Sequence, residues 1–245
     1  MSPNLLALLP LLWALPANAN ECPPNHFTIH YEVQARGISA GDAVWQVQPL
    51  GNGEHLFRVE LNSRGLAGFF YPLTTTSESR WEYAEGCAVR PLHFEYNHSR
   101  RANRHLRIAF DWPQQQAEIH FRGTTRNEPL HPGSYDNQLY LLTLGQLAAQ
   151  GEQTITFETI GQKGPRQRTA EVIGKAQLNA HPKRLETLQL HYQDDDKSTT
   201  LWYAQTPHWL PIMLEYQSEE SGLVRLLATT ITLPEQPPQR LQIRP

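Results

Sequence analysis

Residues 106–121 read LRIAFDWPQQQAEIHF, and the fold class follows from the pattern of this stretch. Apolar side chains occupy every second position, at Leu106, Ile108, Phe110 and Trp112 and again at Ala117, Ile119 and Phe121. Alternation with period two is typical of β-strands that have one buried and one solvated face. Because Trp112-Pro113 is a turn signal between the two runs, the stretch predicts two short antiparallel strands joined by a close turn.

The same alternation recurs along most of the chain. It is found at residues 27–33, 57–61, 92–96, 155–157, 188–192, 201–203 and 212–216. Turn signals such as Gly51-Asn52-Gly53 and Asp194-Asp195-Asp196 separate the runs. The sequence therefore predicts an all-β, mainly antiparallel protein, built as a curved sheet or half-barrel meander.

One segment departs from this rhythm and predicts the single substantial helix, near residues 135–150. Leucines recur there at helical spacing, Ser134 is placed to act as the N-cap, and Asp136 suits the positive end of the helix. Gly151 fits the position that ends a helix. Because the segment is apolar over a wide arc, we expect it to pack against or inside the curved sheet.

The first residues have the pattern of a secretory signal peptide. An uncharged apolar run at residues 5–15 precedes Ala17-Asn18-Ala19, a small-x-small cleavage pattern, although only the α-amino group supplies positive charge before it. A buried N-terminal helix is the alternative, but Pro3, Pro10 and Pro16 interrupt it. We predict a signal peptide at 1–19, one β-rich domain at 20–233, and an extended, proline-rich C-terminal tail at 234–245.

The two cysteines, Cys22 and Cys87, both lie in the predicted mature chain. Exported proteins occupy oxidising compartments where such pairs are usually bridged, so we predict a Cys22–Cys87 disulfide. Lipid attachment at Cys22 is disfavoured, because Ala19-Asn20-Glu21 is not the small-residue context that precedes such a cysteine.

The bulk charge disfavours one class of partner. A formal net charge of −3 lacks the basic stripe that nucleic acid requires. No later apolar run reaches the roughly 20 residues that span a bilayer, so no transmembrane segment is predicted in the mature chain.

Gly37-Ile38-Ser39-Ala40-Gly41 satisfies G-x-S-x-G, the motif of serine hydrolases. In those enzymes a strained turn between a strand and a helix exposes the serine. Here the motif joins two predicted strands, so a glycine-flanked hairpin turn is the favoured interpretation and catalysis by Ser39 the alternative.

The histidines and acidic residues do not predict a metal site. Most of the 11 histidines, including His93, His105, His120 and His191, fall at polar positions of the alternation. Asp194-Asp195-Asp196 lacks the glycine and the downstream glutamate of a calcium loop, so a solvated hairpin tip is the better interpretation. No cofactor is predicted.

The segment Gly65-Leu66-Ala67-Gly68-Phe69-Phe70-Tyr71 is apolar without alternation. Together with the tryptophans spread through the strands, it is explained either by a filled barrel core or by a cavity for an apolar ligand. In the second case Phe69, Phe70 and Tyr71 are candidate ligand-binding residues on a rim or lid.

Several small motifs together resemble a known family of exported bacterial proteins. They are Tyr31-Glu32-Val33 with Gly37-Ile38 and Gly41, then Ser63-Arg64-Gly65-Leu66, Arg90-Pro91, Phe110-Asp111-Trp112, Asp136 and Trp209-Leu210-Pro211. The pattern is similar to that of the domain-of-unknown-function family 3108. This resemblance implies a periplasmic antiparallel β-fold with a helix, somewhat like the lipoprotein-carrier folds, and no established activity or catalytic residues.

Three hypotheses about function follow. The first is a non-enzymatic protein that binds an apolar or lipid-like ligand in the concavity of the sheet, or that maintains the cell envelope. The second is a glycan- or protein-interaction module, for envelope partners, that uses exposed aromatic side chains. The third is a serine hydrolase centred on Ser39.

Overall fold

Strands occupy most of the chain in the computed structural model, which describes residues 22–65, 72–205, 208–234 and 236–244. The predicted signal peptide and the segment 66–71 lie outside the described residues. The first eight strands are β1 (Phe27–Ala35), β2 (Ile38–Gly51), β3 (Glu54–Ser63), β4 (Thr74–Tyr83), β5 (Val89–His98), β6 (Leu106–Asp111), β7 (Gln116–Phe121) and β8 (Thr124–Pro129). Each pairs antiparallel with the next, which confirms the predicted meander, although the alternation does not predict β4 or β8.

The remaining strands form a second meander. They are β9 (Ser134–Tyr135), β10 (Thr154–Gly161), β11 (Gly164–His181), β12 (Lys183–Asp194), β13 (Lys197–Ala204), β14 (Leu210–Ser218), β15 (Gly222–Thr232), β16 (Gln239–Arg240) and β17 (Gln242–Arg244). From β10 to β15 each strand pairs antiparallel with the next, while the short β9 pairs parallel to β10.

The two meanders are joined through the first strand of one and the last long strand of the other. β1 pairs antiparallel with β15, so that Val33 lies opposite Leu226 and Ile29 opposite Ile231. The result is one large, mainly antiparallel open sheet that runs from β8 at one edge to β9 at the other. The predicted fold class is confirmed.

A helical segment lies against one face of this sheet. It consists of a turn of 3₁₀ helix at Leu139–Leu142 and a helix α1 at Leu144–Ala149. The exposed fractions of Leu142 and Leu144 are 2% and 0%, as expected for a helix packed on the sheet. Gly145 allows a close approach, since a Cβ added there would lie 2.3 Å from Cδ1 of Tyr203.

The helical segment starts later than predicted, and Ser134 is not its N-cap. Ser134 belongs to β9, where its hydroxyl accepts the N–H of His131 and donates to the carboxylate of Glu158. At the start of the helical segment the backbone N–H groups find their acceptor in Asp136. Its Oδ1 accepts the N–H groups of Gln138 and Leu139 at 2.9 and 2.8 Å. This local hydrogen bonding competes with helix formation and excludes residues 135–138 from the helix. Gly151 ends it with a φ of 104°, as predicted.

The main hydrophobic core lies between the helical segment and the strands of both meanders. Buried hydroxyls fix the helical segment in place: Tyr203 donates to the carbonyl of Leu141 at 3.0 Å, and the hydroxyls of Tyr140 and Tyr192 are 2.8 Å apart. A smaller core under β5–β7 includes Ile108, Leu130 and Ile160.

The last residues belong to the sheet, contrary to the domain boundary predicted at residue 233. β16 pairs with β15, and β17 pairs with β11. Leu241 and Ile243 are buried there, so the sheet continues beyond the proline-rich stretch.

Candidate ligand-binding cleft

Side chains on the inner face of the second meander form three successive rows. Strand pairing places Leu190, Leu201, Leu214 and Leu226 in one row, and Tyr192, Thr199, Tyr216 and Val224 in the next. Asp194 and Lys197 lie opposite each other at the end of β12 and the start of β13 and form the third row. Because residues two apart share a face of a strand, the inner face changes from aliphatic to aromatic to charged toward this end.

All members of these rows except the fully buried Leu190 and Leu201 line a cavity of about 820 Å³ between β10–β15 and the segment before α1. We call it the tyrosine compartment, because Tyr140, Tyr192 and Tyr216 form part of its wall. Leu214, Tyr216 and Val224 are only half-buried, so apolar surface faces the cavity. The volume lies in the range of cavities that bind small molecules, about 300–1,000 Å³.

Charged groups surround the end of the compartment formed by two hairpins, β10–β11 and β12–β13. Arg168 donates to Asp194 Oδ2 at 2.9 Å, and Arg166 lies 2.6 Å from Asp194 Oδ1 and 2.6 Å from Asp195. Burial opposes ionisation of Asp194, but hydrogen bonds and charge from Arg168 and Arg166 outweigh it and lower its pKa below the usual value. This network ties the two hairpins together.

A second cavity of about 680 Å³ lies under the first meander. We call it the tryptophan compartment, after Trp45 in its wall. Its apolar lining also includes Val59, Phe94, Tyr96 and Leu106. Within the part of the chain that the structure describes, the indole N–H of Trp45 has no hydrogen-bond acceptor, although the side chain is buried.

The two compartments adjoin, because Asn137, Gln162 and Lys197 line both of them. We refer to the combined space as the cleft. Among the described residues that line the cleft, six are cationic and two are acidic, namely Lys163, Arg166, Arg168, Lys197, Arg104 and Arg122 against Asp194 and Glu220. The cleft therefore combines apolar walls with a cationic end.

Of the site residues predicted from the sequence, the two cysteines do not line the cleft. Cys22 and Cys87 are joined as a disulfide, with their Cα atoms 5.1 Å apart, and this bond fixes the start of β1 to the turn before β5. Tyr83 donates to the carbonyl of Pro23 beside it. Phe69, Phe70 and Tyr71 lie outside the described residues.

Ser39 is exposed on β2 and lies opposite Gln34. The hairpin turn consists of Arg36 and Gly37, both with positive φ, and no helix follows it. Gly41 is needed for another reason, because a Cβ there would lie 2.2 Å from the carbonyl oxygen of Asn62. Both glycines of the motif thus have structural roles, and Ser39 does not lie on the strand–turn–helix junction that such hydrolases use.

Three of the histidines, His93, His105 and His120, line one cavity of about 840 Å³. His26, His30 and His120 are exposed, as their positions in the alternation predict. Burial lowers the pKa of His55, which stacks on Trp81 with ring centroids 4.5 Å apart. In the described ranges, no three His, Cys, Asp or Glu side chains come close enough together to hold a metal ion.

Sequence reasoning missed the cationic residues of the cleft. Arg166 and Arg168 are two apart on one strand, and Lys163 and Lys197 lie at hairpin tips. The spacing of the arginines was a visible signal for a shared face. Nothing local indicates that the β10–β11 tip and the β12–β13 tip line one cavity.

Comparison with models of known protein families identifies the family of this chain. Residues 26–229 match the model of DUF3108, described as a protein of unknown function, and the chain belongs to this family. No curated protein sequence is significantly similar to it.

Two solved structures are similar to the chain. A β-barrel-like protein of the domain of unknown function DUF1849 from Brucella abortus has a TM-score of 0.55 at 9% identity, over 86% of this chain and 98% of that one. A Bacteroides fragilis protein, described as exported and as having a YmcC-like fold, has a TM-score of 0.36 at 9% identity, over 86% of this chain and 97% of that one. The first supports the fold and no activity. No helix in the described part of the chain is long and apolar enough to cross a membrane.

Proposed function

We propose that this protein is an exported binding protein that holds an apolar, lipid-like molecule in the cleft. The observation that carries the proposal is the graded inner face, where half-buried Leu214, Tyr216 and Val224 line a cavity of about 820 Å³. Apolar surface that faces a cavity is a place where burial of a ligand is favourable, by about 25 cal/mol per Å². The Cys22–Cys87 disulfide supports export, because such bonds persist in oxidising compartments.

The alternative of a glycan- or protein-interaction module needs exposed aromatic side chains on the outer face. Among the described residues, the exposed large hydrophobic side chains are Ile38, Leu50 and Ile173, and none of them is aromatic. This observation favours the inner face over the outer face as the binding surface.

The test uses neutral ligands, so that only apolar contacts are measured. The mature protein, with its disulfide intact, is loaded with the fluorescent apolar probe N-phenyl-1-naphthylamine, and straight-chain alcohols from octan-1-ol to dodecan-1-ol displace it. Each added CH₂ should tighten binding about fourfold, from about 0.8 kcal/mol per buried CH₂. Native mass spectrometry of the protein from its own cells gives an independent measure of any ligand that co-purifies.

A matched pair of variants locates the site. Val224→Trp fills the tyrosine compartment and should abolish displacement, whereas Ile173→Trp adds the same side chain at an exposed position and should leave displacement unchanged. Melting curves establish that both variants fold. The proposal is wrong if alcohols of every length fail to displace the probe, or if the two variants lose binding equally.

A further inference from the structure

Two hairpin tips bring two lysines to the same end of the cleft. Lys163 lies between β10 and β11, and Lys197 is the first residue of β13. Both line the tyrosine compartment, and Lys197 also lines the tryptophan compartment. The two lysines therefore line one cavity, and Lys197 lies where the two compartments adjoin.

The neighbouring arginines are already neutralised, but the lysines are not. Arg166 and Arg168 form ion pairs with Asp194 and Asp195. Within the described residues, neither Lys163 nor Lys197 forms an ion pair with an acidic side chain. Asp196, the third acid of the tip, is exposed and does not line the cleft.

This positive charge is a local property of the cleft. The whole chain has a formal net charge of −3, so an even distribution of charge would not leave a cationic excess here. A cavity with an excess of one sign of charge attracts ligands of the opposite sign. The Arg166–Asp194–Arg168 network holds the two tips at fixed positions, so the lysines are presented on an ordered frame.

We propose that the ligand is an anionic amphiphile, whose carboxylate or phosphate head group contacts Lys163 and Lys197 while its apolar chain lies along Tyr216, Leu214 and Val224. This inference rests on the proposed function, since it names the class of ligand for the same cleft. A neutral head group would leave both ammonium groups without a counter-charge, whereas an anionic head group accepts charge-assisted hydrogen bonds from them.

Three probes with the same chain separate the head group from the apolar part. Dodecanoate, dodecyl phosphate and dodecan-1-ol are compared in the displacement assay with N-phenyl-1-naphthylamine, at concentrations where none forms micelles. Both anions should bind more tightly than the alcohol, by roughly 25-fold if each lysine contributes about fivefold, the upper end for one exposed charge contact. The ratio of the two anions tells a carboxylate ligand from a phosphate ligand.

Charge-removing variants locate the head group. Lys163→Gln and Lys197→Gln should each weaken anion binding about fivefold, and together about 25-fold, while binding of dodecan-1-ol stays unchanged. Lys175→Gln is the matched control, because Lys175 is an exposed lysine of β11 that does not line the cleft. Neither cleft lysine is buried, so melting temperatures should match the parent's.

The outcomes separate this inference from the proposed function. If the alcohol binds as tightly as the anions, or if the lysine variants weaken all three probes equally, the head-group inference is wrong and the apolar cleft stands. If none of the three probes binds, both proposals fail. Selective loss of anion binding in the two cleft variants, with Lys175→Gln unchanged, supports the inference.

Discussion

Asp136 gives a prediction that links one buried carboxyl to the pH dependence of stability. Its side chain is 0% exposed, at the point where the sheet passes into the helical segment. Burial raises its pKa from 3.8 to about 6, although the N–H groups of Gln138 and Leu139 oppose the shift. Between these two pH values the folded protein keeps a proton that the unfolded chain releases.

The magnitude follows from the difference in pKa. Each unit corresponds to 1.36 kcal/mol, so ionised Asp136 costs about 3 kcal/mol relative to its protonated form. Because the unfolded state binds fewer protons in this range, the free energy of unfolding falls as the pH rises from about 4 to above 6. Below the unfolded pKa of 3.8 both states are protonated and the effect is absent.

Asp136→Asn removes this titration and keeps the geometry, since an amide oxygen can accept the same two N–H groups. We expect the free energy of unfolding of the variant, minus that of the parent, to increase by about 2.4 kcal/mol between pH 4 and pH 7, less than the full value of about 3 kcal/mol because Asp136 of the unfolded chain is already partly ionised at pH 4. Urea unfolding with the disulfide intact, followed by tryptophan fluorescence at pH 4, 5, 6 and 7, measures this difference. Any free-energy cost of burying the amide NH₂ is independent of pH, so it does not change how the difference in free energy of unfolding varies with pH.

The control is Asp111→Asn, at an exposed carboxylate that also accepts a backbone N–H, from Gln114 at 3.0 Å. The free energy of unfolding of this variant, minus that of the parent, should not show the same increase between pH 4 and pH 7, because no buried charge is removed. A constant difference between Asp136→Asn and the parent across this pH range would refute the reasoning, since the carboxyl would then ionise alike in the folded and unfolded states.

Three further predictions concern stability. Gly145→Ala should lower the melting temperature, because the added Cβ would lie 2.3 Å from the ring of Tyr203; an unchanged value would mean that the ring can move aside. Leu142→Asp buries an unpaired charge at a position 2% exposed and should cost several kcal/mol in urea unfolding, and a variant as stable as the parent would contradict the packing of the helical segment. Replacing Cys22 and Cys87 together by serine removes a disulfide between residues 65 positions apart. The free energy of unfolding should fall by about 4 kcal/mol relative to the oxidised parent, from the chain-entropy model. Equal stability would show that the disulfide does not restrict the unfolded chain.

The sequence by itself determined the strands that alternate and their buried faces, but it did not predict β4, β8, β11 or β15. Alternation at residues 106–112 and 117–121 predicted β6 and β7, because successive side chains of a strand point to opposite faces whatever lies beyond them. The helical segment was located for the same local reason, from the spacing of its leucines and from Gly151. Its start was placed too early, since the hydroxyl of Ser134 and the carboxylate of Asp136 both suit a cap, and only the packed structure assigns their partners.

Only the tertiary structure decided how the sheet is joined and what its inner face presents. The pairing of β1 with β15 joins residues about 200 positions apart, and no periodicity in either strand encodes its partner. The same holds for the cleft, where Lys163 and Lys197 come from separate hairpins whose tips meet through the Arg166–Asp194–Arg168 network. Local geometry fixes which side of a strand is apolar, whereas a cavity and its charge depend on contacts between strands that are distant in the chain.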